Sequence, residues 1–466
     1  MILNSKFLIQ APYYCGEEFN YTLDVVFNEF LGLPWERIKD NSDQIQITLE
    51  GSNKTLSINA DFFYRSYKNW LSVTSLPDLP LQTWNLKYVD LNVNLIDPII
   101  PIIYGNPGLM RQDGNIYLNL DIFGSIFFMI SRYEEPVIKE RDAHNRFPAT
   151  SSIAYKSGFL NRPIVDEYVE ILWACMKLLW PGIQRKQHSY RVFLSHDVDH
   201  PFVVYNQNWY QILHNIAGDL TIRKDLSLAL QRIKCKVKND SNLDPANTFD
   251  FIMDLSEKCN LKSEFYFMTD HTAGSLDGSE YSIESPQITK LMHRIYNRGH
   301  RIGFHASYNS FSNPQQIKKE FERLMKTAEK LGIKQDSWGG RQHYLRFENP
   351  ITWQSWEDAG LNYDSTLGFA DNIGFRCGTC HEFPVFNLET KRVLHLREIP
   401  LIVMDVTLWS DQYPTLKSEQ SIIERIKNIF DTCYNFNGTF TLLWHNSNLI
   451  SLWQKELYLE VLKILK

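Results

Sequence analysis

The spacing of apolar and polar residues changes character near residue 181. Before it, alternating segments predict strands of a mixed sheet, "QIQITLEG" at 44–51 and "KTLSINADFFYR" at 54–65. Two richly apolar stretches, "DIFGSIFFMISRY" at 121–133 and "VDEYVEILWACMKLLW" at 165–180, predict helices. Pro181-Gly182 then breaks the pattern and "IQRKQHSY" is polar. The expectation is a smaller mixed α+β domain over residues 1–185 and a second domain over 186–466.

In the second part, strand-like and helix-like segments alternate. Ser285 and Pro286 open a helix whose face carries Ile288, Leu291, Met292 and Ile295, and Gly299 ends it. Asn313 and Pro314 open another, with a stripe of Ile317, Phe321, Leu324, Ala328 and Leu331 before Gly332. A third runs from Asn349 to Gly360, and a fourth from about Glu419 to Gly438. Between and after them lie the short apolar segments "RVFLS", "SEFYFMT", "RIGFH", "SWGGRQ", "LNYDS" and "TFTLLWH". Repeated βα units predict a parallel sheet or barrel with helices outside it. In such folds the polar residues at the C-terminal strand ends build the active site.

Composition narrows the function classes. The 466 residues are 44% hydrophobic and 14% aromatic, which suits a packed protein of two or three domains. A net charge of −6 gives no basic footprint for nucleic acid. The first residues lack a basic stretch followed by a long apolar one, and no uninterrupted apolar run is long enough to span a bilayer. The expectation is a cytoplasmic protein whose substrate is an intracellular sugar precursor or lipid-linked glycan. Seven scattered cysteines predict no disulfide framework. The lone CxxC of Cys377 and Cys380 reads as two structural thiols in a turn.

The polar residues that follow the apolar runs fall into a pattern. "SHDVDH" places Asp197 and Asp199 after one strand, with His196 and His200 beside them. An extended chain points residues 197 and 199 to the same side. His305 follows "RIGF", Arg341 and His343 lie in "GGRQHY", Asp364 follows "LNY" and His445 follows "TFTLLW". His300 starts a strand at the opposite end and reads as structural.

These segments, in this order and spacing, resemble the five motifs of NodB-homology polysaccharide deacetylases (carbohydrate esterase family 4), in the subgroup whose first motif reads Asp-x-Asp. The resemblance covers about residues 190–450, and the region before it is similar to the accessory region that precedes such domains. It implies a distorted (β/α) barrel holding one divalent metal, usually zinc. Carried onto this sequence, Asp197 is the catalytic base, Asp199 and His305 are metal ligands, Arg341 orients the base, and His445 is the general acid. Asp364 shapes the site and supports His445. Tyr344, Trp444 and Arg376 are candidates for substrate contact, with a structural ion pair the preferred reading of Arg376.

One position departs from the pattern. Asn309, in "HASYN", stands where a second histidine ligand belongs. Asparagine is a weaker ligand than imidazole for zinc, and catalytic zinc keeps three protein ligands. Either Asn309 fills the place, or His343 does, with His196 and His200 as further possibilities. The reading is a metal-dependent enzyme that removes an N-acetyl or other acyl group from a saccharide. The alternatives are a catalytically silent saccharide-binding protein and a hydrolase of a non-sugar C–N bond.

Overall fold

The computed structural model describes residues 6–38, 42–205, 207–409 and 418–465. The first half is built on a six-stranded mixed sheet of β1 (Phe7–Gln10), β2 (Trp35–Arg37), β3 (Ile45–Leu49), β4 (Thr55–Ile58), β7 (Gly105–Gln112) and β8 (Asn115–Leu120). Their order is β2-β1-β3-β4-β8-β7. A separate ribbon pairs β5 (Gln82–Asn85) with β6 (Ile99–Ile102). Alternation sets the faces as expected: Ile45, Ile47 and Leu49 are buried while Gln46 and Thr48 are half-buried.

The segment 54–65 is strand for only part of its length. β4 ends at Ile58 and a helix runs from Asp61 to Lys68. The reason is tertiary: the Asp121 carboxylate accepts the Phe62 N–H at 2.8 Å, and Phe62 and Phe63 bury against the core. The helix Ile122–Ile130, capped by the same Asp121, is buried at all nine positions. The amphipathic helix Ile164–Leu179 follows.

Among the described residues the second half carries nine strands. They are β9 (Arg191–Val198), β10 (Ser263–Met268), β11 (Arg301–Ala306), β12 (Gly339–Gln342), β13 (Tyr363–Asp364), β14 (Phe383–Asn387), β15 (Arg392–Glu398), β16 (Val403–Met404) and β17 (Thr439–Leu443). Their order is β14-β15-β13-β12-β11-β10-β9-β17-β16. Every pairing is parallel except β14 with β15. The predicted helices are present as Pro286–Asn297, Pro314–Lys330, Ile351–Ala359 and Glu419–Asn435. The sheet curls on itself. Arg341 on β12 reaches Asp197 on β9 across the interior, with β11 and β10 between them in the ladder, and Tyr363 on β13 donates to Glu264 on β10. Such contacts require a barrel-like curvature, while the ladder stays open between β14 and β16 among the described residues. Gly340 permits close strand approach, since a Cβ there would sit 1.7 Å from the Phe304 carbonyl oxygen.

The two halves share one hydrophobic cluster, from Phe7 to Leu465. A buried ion network also joins them. The Glu135 carboxylate accepts two bonds from Arg376, at 2.9 and 2.7 Å, and one from Arg132 at 2.8 Å. Burial opposes ionisation of Glu135, but the two guanidinium groups outweigh it and hold its carboxyl down at about 2.

Candidate active site

The chemistry-bearing side chains gather at the C-terminal ends of the parallel strands. Asp197 is the next-to-last residue of β9, and Asp199 lies just past its end. His305 is near the end of β11, Arg341 is in β12, and His343 follows β12 directly. Asp364 ends β13, Asp405 follows β16, and His445 lies two residues past β17.

Asp197 and Asp199 point to the same side, as an extended chain requires. The Nε2 atom of His305 is 3.1 Å from Asp199 Oδ1 and 3.8 Å from Asp197 Oδ2. His196, between the strand's inward residues, faces the other way. Its ring bonds the Trp444 carbonyl at 2.7 Å and Ser263 Oγ at 3.1 Å, and burial lowers its pKa to about 4. His200 bonds Ser279 Oγ at 2.6 Å. Neither histidine joins the cluster.

The third member of the cluster is His343. Its Nδ1 atom is 2.9 Å from His305 Nε2 and 3.6 Å from Asp199 Oδ1. The tautomers follow from the outer partners. His305 Nδ1–H donates to the Arg341 carbonyl at 2.8 Å, and His343 Nε2–H donates to the Leu276 carbonyl at 2.7 Å. A carbonyl only accepts, so the inward nitrogens of both neutral rings carry lone pairs. Asp199 Oδ1 is buried with no hydrogen-bond donor. Three electron-pair donors thus converge, and that arrangement calls for a cation between them. In a tetrahedral zinc site, bonds of about 2.0–2.1 Å place ligand atoms about 3.3 Å apart. The separations of 2.9, 3.1 and 3.6 Å bracket that value, so the residues fit a small divalent metal. Burial opposes ionisation of Asp199, yet the histidines around it, His343 foremost, hold its carboxyl well below the usual range when they are charged.

Asn309 is not brought to this cluster. It is exposed, its amide donates to the Thr272 carbonyl at 3.0 Å, and its Oδ1 accepts from Arg346 at 3.5 Å. The chain turns sharply after His343, where Tyr344 and Leu345 both hold left-handed backbone angles, φ 60 and 54. Two bulky residues in succession there are strained, and such strain collects at functional sites. The Tyr344 ring lies half-exposed at the mouth, against His343 at 4.8 Å and His144 at 4.7 Å. Its carbonyl accepts from Arg146 at 3.1 Å. The first half of the chain therefore supplies part of the rim through His144 and Arg146, which sequence reasoning did not single out.

Arg341 is fully buried. It donates to Asp197 Oδ1 at 2.7 Å, to Ser195 Oγ at 2.9 Å and to the Ser365 carbonyl at 2.8 Å. It leaves Asp197 Oδ2 facing the cluster. His445 donates from Nδ1 to Asp405 Oδ1 at 2.7 Å, and its Nε2 stands 3.5 Å from Asp199 Oδ2. Asp405 is held in turn by the His445 main-chain N–H and by Asn448. Burial works against a charged His445, but Asp405, with Asp199 and Asp197 behind it, pushes its pKa up to about 10.

The partner of His445 is thus Asp405 and not Asp364. Asp364 accepts from Thr366 and lies beside Glu398, and burial pushes its carboxyl up to about 6. It fixes the turn that presents Ser365 to Arg341. The signal for Asp405 was present, since an aspartate follows the apolar run "LIVM" as the others follow theirs. Burial corrects Trp444 as a substrate contact, and Arg376 takes the structural ion pair that is its preferred reading. Trp444 is fully enclosed between Trp409 and Tyr458, and Arg376 is spent on Glu135. Cys377 and Cys380 are buried free thiols. Asp166, Cys380 and His381 also lie close together. There, however, the Asp166 oxygens are already taken by Thr379 Oγ1 at 2.6 Å and by the Cys380 N–H and S–H. A cleft between the two halves is lined by His188, Asp166 and Lys186 among others, and by none of the strand-end residues above.

Residues 7–181 match the model of a family of unknown function, DUF7033. No curated protein matches the sequence. Among solved structures, a Mycobacterium smegmatis protein provisionally described as a polysaccharide deacetylase shares 13% identity. That alignment covers 60% of this chain and 84% of that one, with a TM-score of 0.38. Puue allantoinase shares 13% over 61% and 85% of the two chains, at 0.36. Agd3, described as a carbohydrate deacetylase, shares 9% over 99% and 84%, at 0.32. At such values these likenesses carry no functional argument, which has to come from the site.

Proposed function

We propose that the chain is a metal-dependent hydrolase that removes an N-acetyl or other acyl group from a saccharide. The observation that carries this reading is the convergence of Asp199 Oδ1, His305 Nε2 and His343 Nδ1 between the Asp197–Arg341 pair and the His445–Asp405 pair. A divalent cation, zinc on this donor set, would lower the pKa of water toward 7 and polarise the acyl oxygen.

The protein groups then have distinct work. Arg341 holds Asp197 by one oxygen, so the other is free to take a proton from the attacking water. Asp405 fixes the His445 tautomer and keeps its Nε2–H charged and directed inward. As the C–N bond breaks, that proton passes to the departing amine, which leaves neutral. Tyr344 at the mouth offers an aromatic face on which a sugar ring can stack. The premise of the silent binding protein was an unfilled third ligand position, and His343 offers a donor there.

The test is direct. Chain stripped by a chelator and reloaded with zinc or cobalt is expected to release acetate from an N-acetylated amino sugar in a substrate panel. No release with any metal across acetylated sugars refutes the proposal. Release of ammonia or ring opening from a cyclic amide instead reassigns it to the non-sugar C–N class.

A further inference from the structure

Between Asp199 and the helix Phe249–Lys258 the chain inserts a helical hairpin, Trp209–Thr221 and Leu226–Lys238. Its inner face is conventional. Ile212 and Cys235 pack with Val204, and the buried Asp219 holds both Arg223 and Arg232 at 2.6 Å. Its outer face is not. The second helix exposes Leu226, Leu230, Ile233 and Val237, the i, i+4, i+7, i+11 spacing of one continuous stripe. The first exposes Trp209, Leu213 and Leu220 on the same stripe spacing, with Tyr210 beside them, and Ile222 at the tip is 81% exposed. A stripe of this kind on a globular protein's helix ordinarily faces a core. Here it faces outward.

Charge says what would cover it. Residues 207–239 hold six Lys and Arg against two Asp, a net +4 in a chain of net −6. Both aspartates are engaged, Asp219 by two arginines and Asp225 as a helix cap. Lys224, Lys234 and Lys238 are exposed around the apolar stripe.

We propose that this hairpin docks on an anionic lipid surface. The apolar stripes enter the boundary between headgroups and acyl chains, and the three lysines lie among the headgroups. Trp209 and Tyr210 are residue types that favour that boundary. No helix among the described residues is long and apolar enough to cross a membrane, so the hairpin lies in the interface and does not span it. A second copy of the chain is the rival occupant, but it would set two hairpins of net +4 against each other. The hairpin base is fixed at the site's rim. Asn446, next to His445, donates to the carbonyls of His200 and Ala246, on either side of the insertion. Docking therefore brings the mouth of the candidate site to the lipid surface.

The test is vesicle flotation of the full chain, with phosphatidylcholine alone and with added phosphatidylglycerol. The expected result is flotation with the anionic vesicles only. A variant with Leu213→Gln, Leu230→Gln, Ile233→Gln and Val237→Gln loses it. Lys224→Gln with Lys234→Gln and Lys238→Gln weakens it about a hundredfold. The lysine variant removes no apolar side chain, so it tests the proposal even if the glutamines loosen the hairpin. Three outcomes overturn it: no flotation of the unmodified chain, flotation that neither variant diminishes, or a dimer in the ultracentrifuge that the glutamine variant converts to monomer. The readout is binding alone and needs no turnover, so it fails or survives apart from the proposed reaction.

Discussion

Replacing His343 by alanine tests the site most sharply, because Asn309 provides an internal control. In the structure the two side chains do different things. His343 is clamped by the Leu276 carbonyl and aims Nδ1 at the Asp199–His305 pair. Asn309 is exposed and bonds Thr272 and Arg346. Zinc binding to four-ligand peptide sites is worth roughly 10–16 kcal/mol, about 2.5–4 kcal/mol per ligand. Loss of the His343 donor should therefore weaken zinc affinity on the order of 100- to 1,000-fold. Asn309→Ala should leave it within about threefold, because it removes no donor from the cluster. The assay is competition with a chromophoric chelator, read beside the thermal midpoint with and without zinc. Bound metal raises that midpoint with the logarithm of its affinity, so the unmodified chain and Asn309→Ala should gain more than His343→Ala. Equal losses in the two variants, or loss in Asn309→Ala alone, would refute the geometry argued above.

Three further outcomes are expected. Asp405→Asn should lower acetate release by about 10²–10⁴ with zinc content unchanged, because only the His445 acid loses its partner; loss of metal would contradict that role. Arg376→Met should cost about 3–5 kcal/mol in urea unfolding by leaving buried Glu135 short of a partner, while turnover per folded molecule stays the same; a lost rate at full stability would return Arg376 to the substrate. Burial pushes the Asp166 carboxyl up to about 6 against an ordinary 3.8. Its folded pKa is the higher, so the stability it contributes is fully present below about pH 4 and lost as pH rises through about 6. Measured against Asp166→Asn, the chain should lose roughly 3 kcal/mol between pH 4 and pH 8; a pH-independent difference would contradict this.

Much of the barrel was legible because its signals are local. Ser285, Asn313 and the prolines behind them mark helix starts, and the stripes from Ile288 and Ile317 turn up buried. Asp197, Asp199, His305, Arg341 and His445 each lie in or just after an apolar run, so the strand-end rule gathers them at one end of the sheet. Where a neighbour far along the chain decides conformation, the local pattern misled. Residues 61–65 continue an alternating segment, yet Asp121 and the core turn them into a helix. The hairpin 209–238 carries helical periodicity, but only its exposure marks the stripe as unusual.

The sequence by itself determined the order of βα units, the faces of their helices and the set of side chains available at one end of the barrel. These depend on period and on neighbours within a few residues. Which of those side chains meet was decided only in three dimensions. Sheet curvature carries Arg341 to Asp197 across the interior, and Asp405 reaches His445 from the neighbouring strand. Two left-handed residues turn the chain just past His343, whose ring joins His305 while Asn309 is left at the surface. Ligation and proton transfer depend on separations of about 3 Å, and spacing along a chain does not encode distances between strands that are far apart in it.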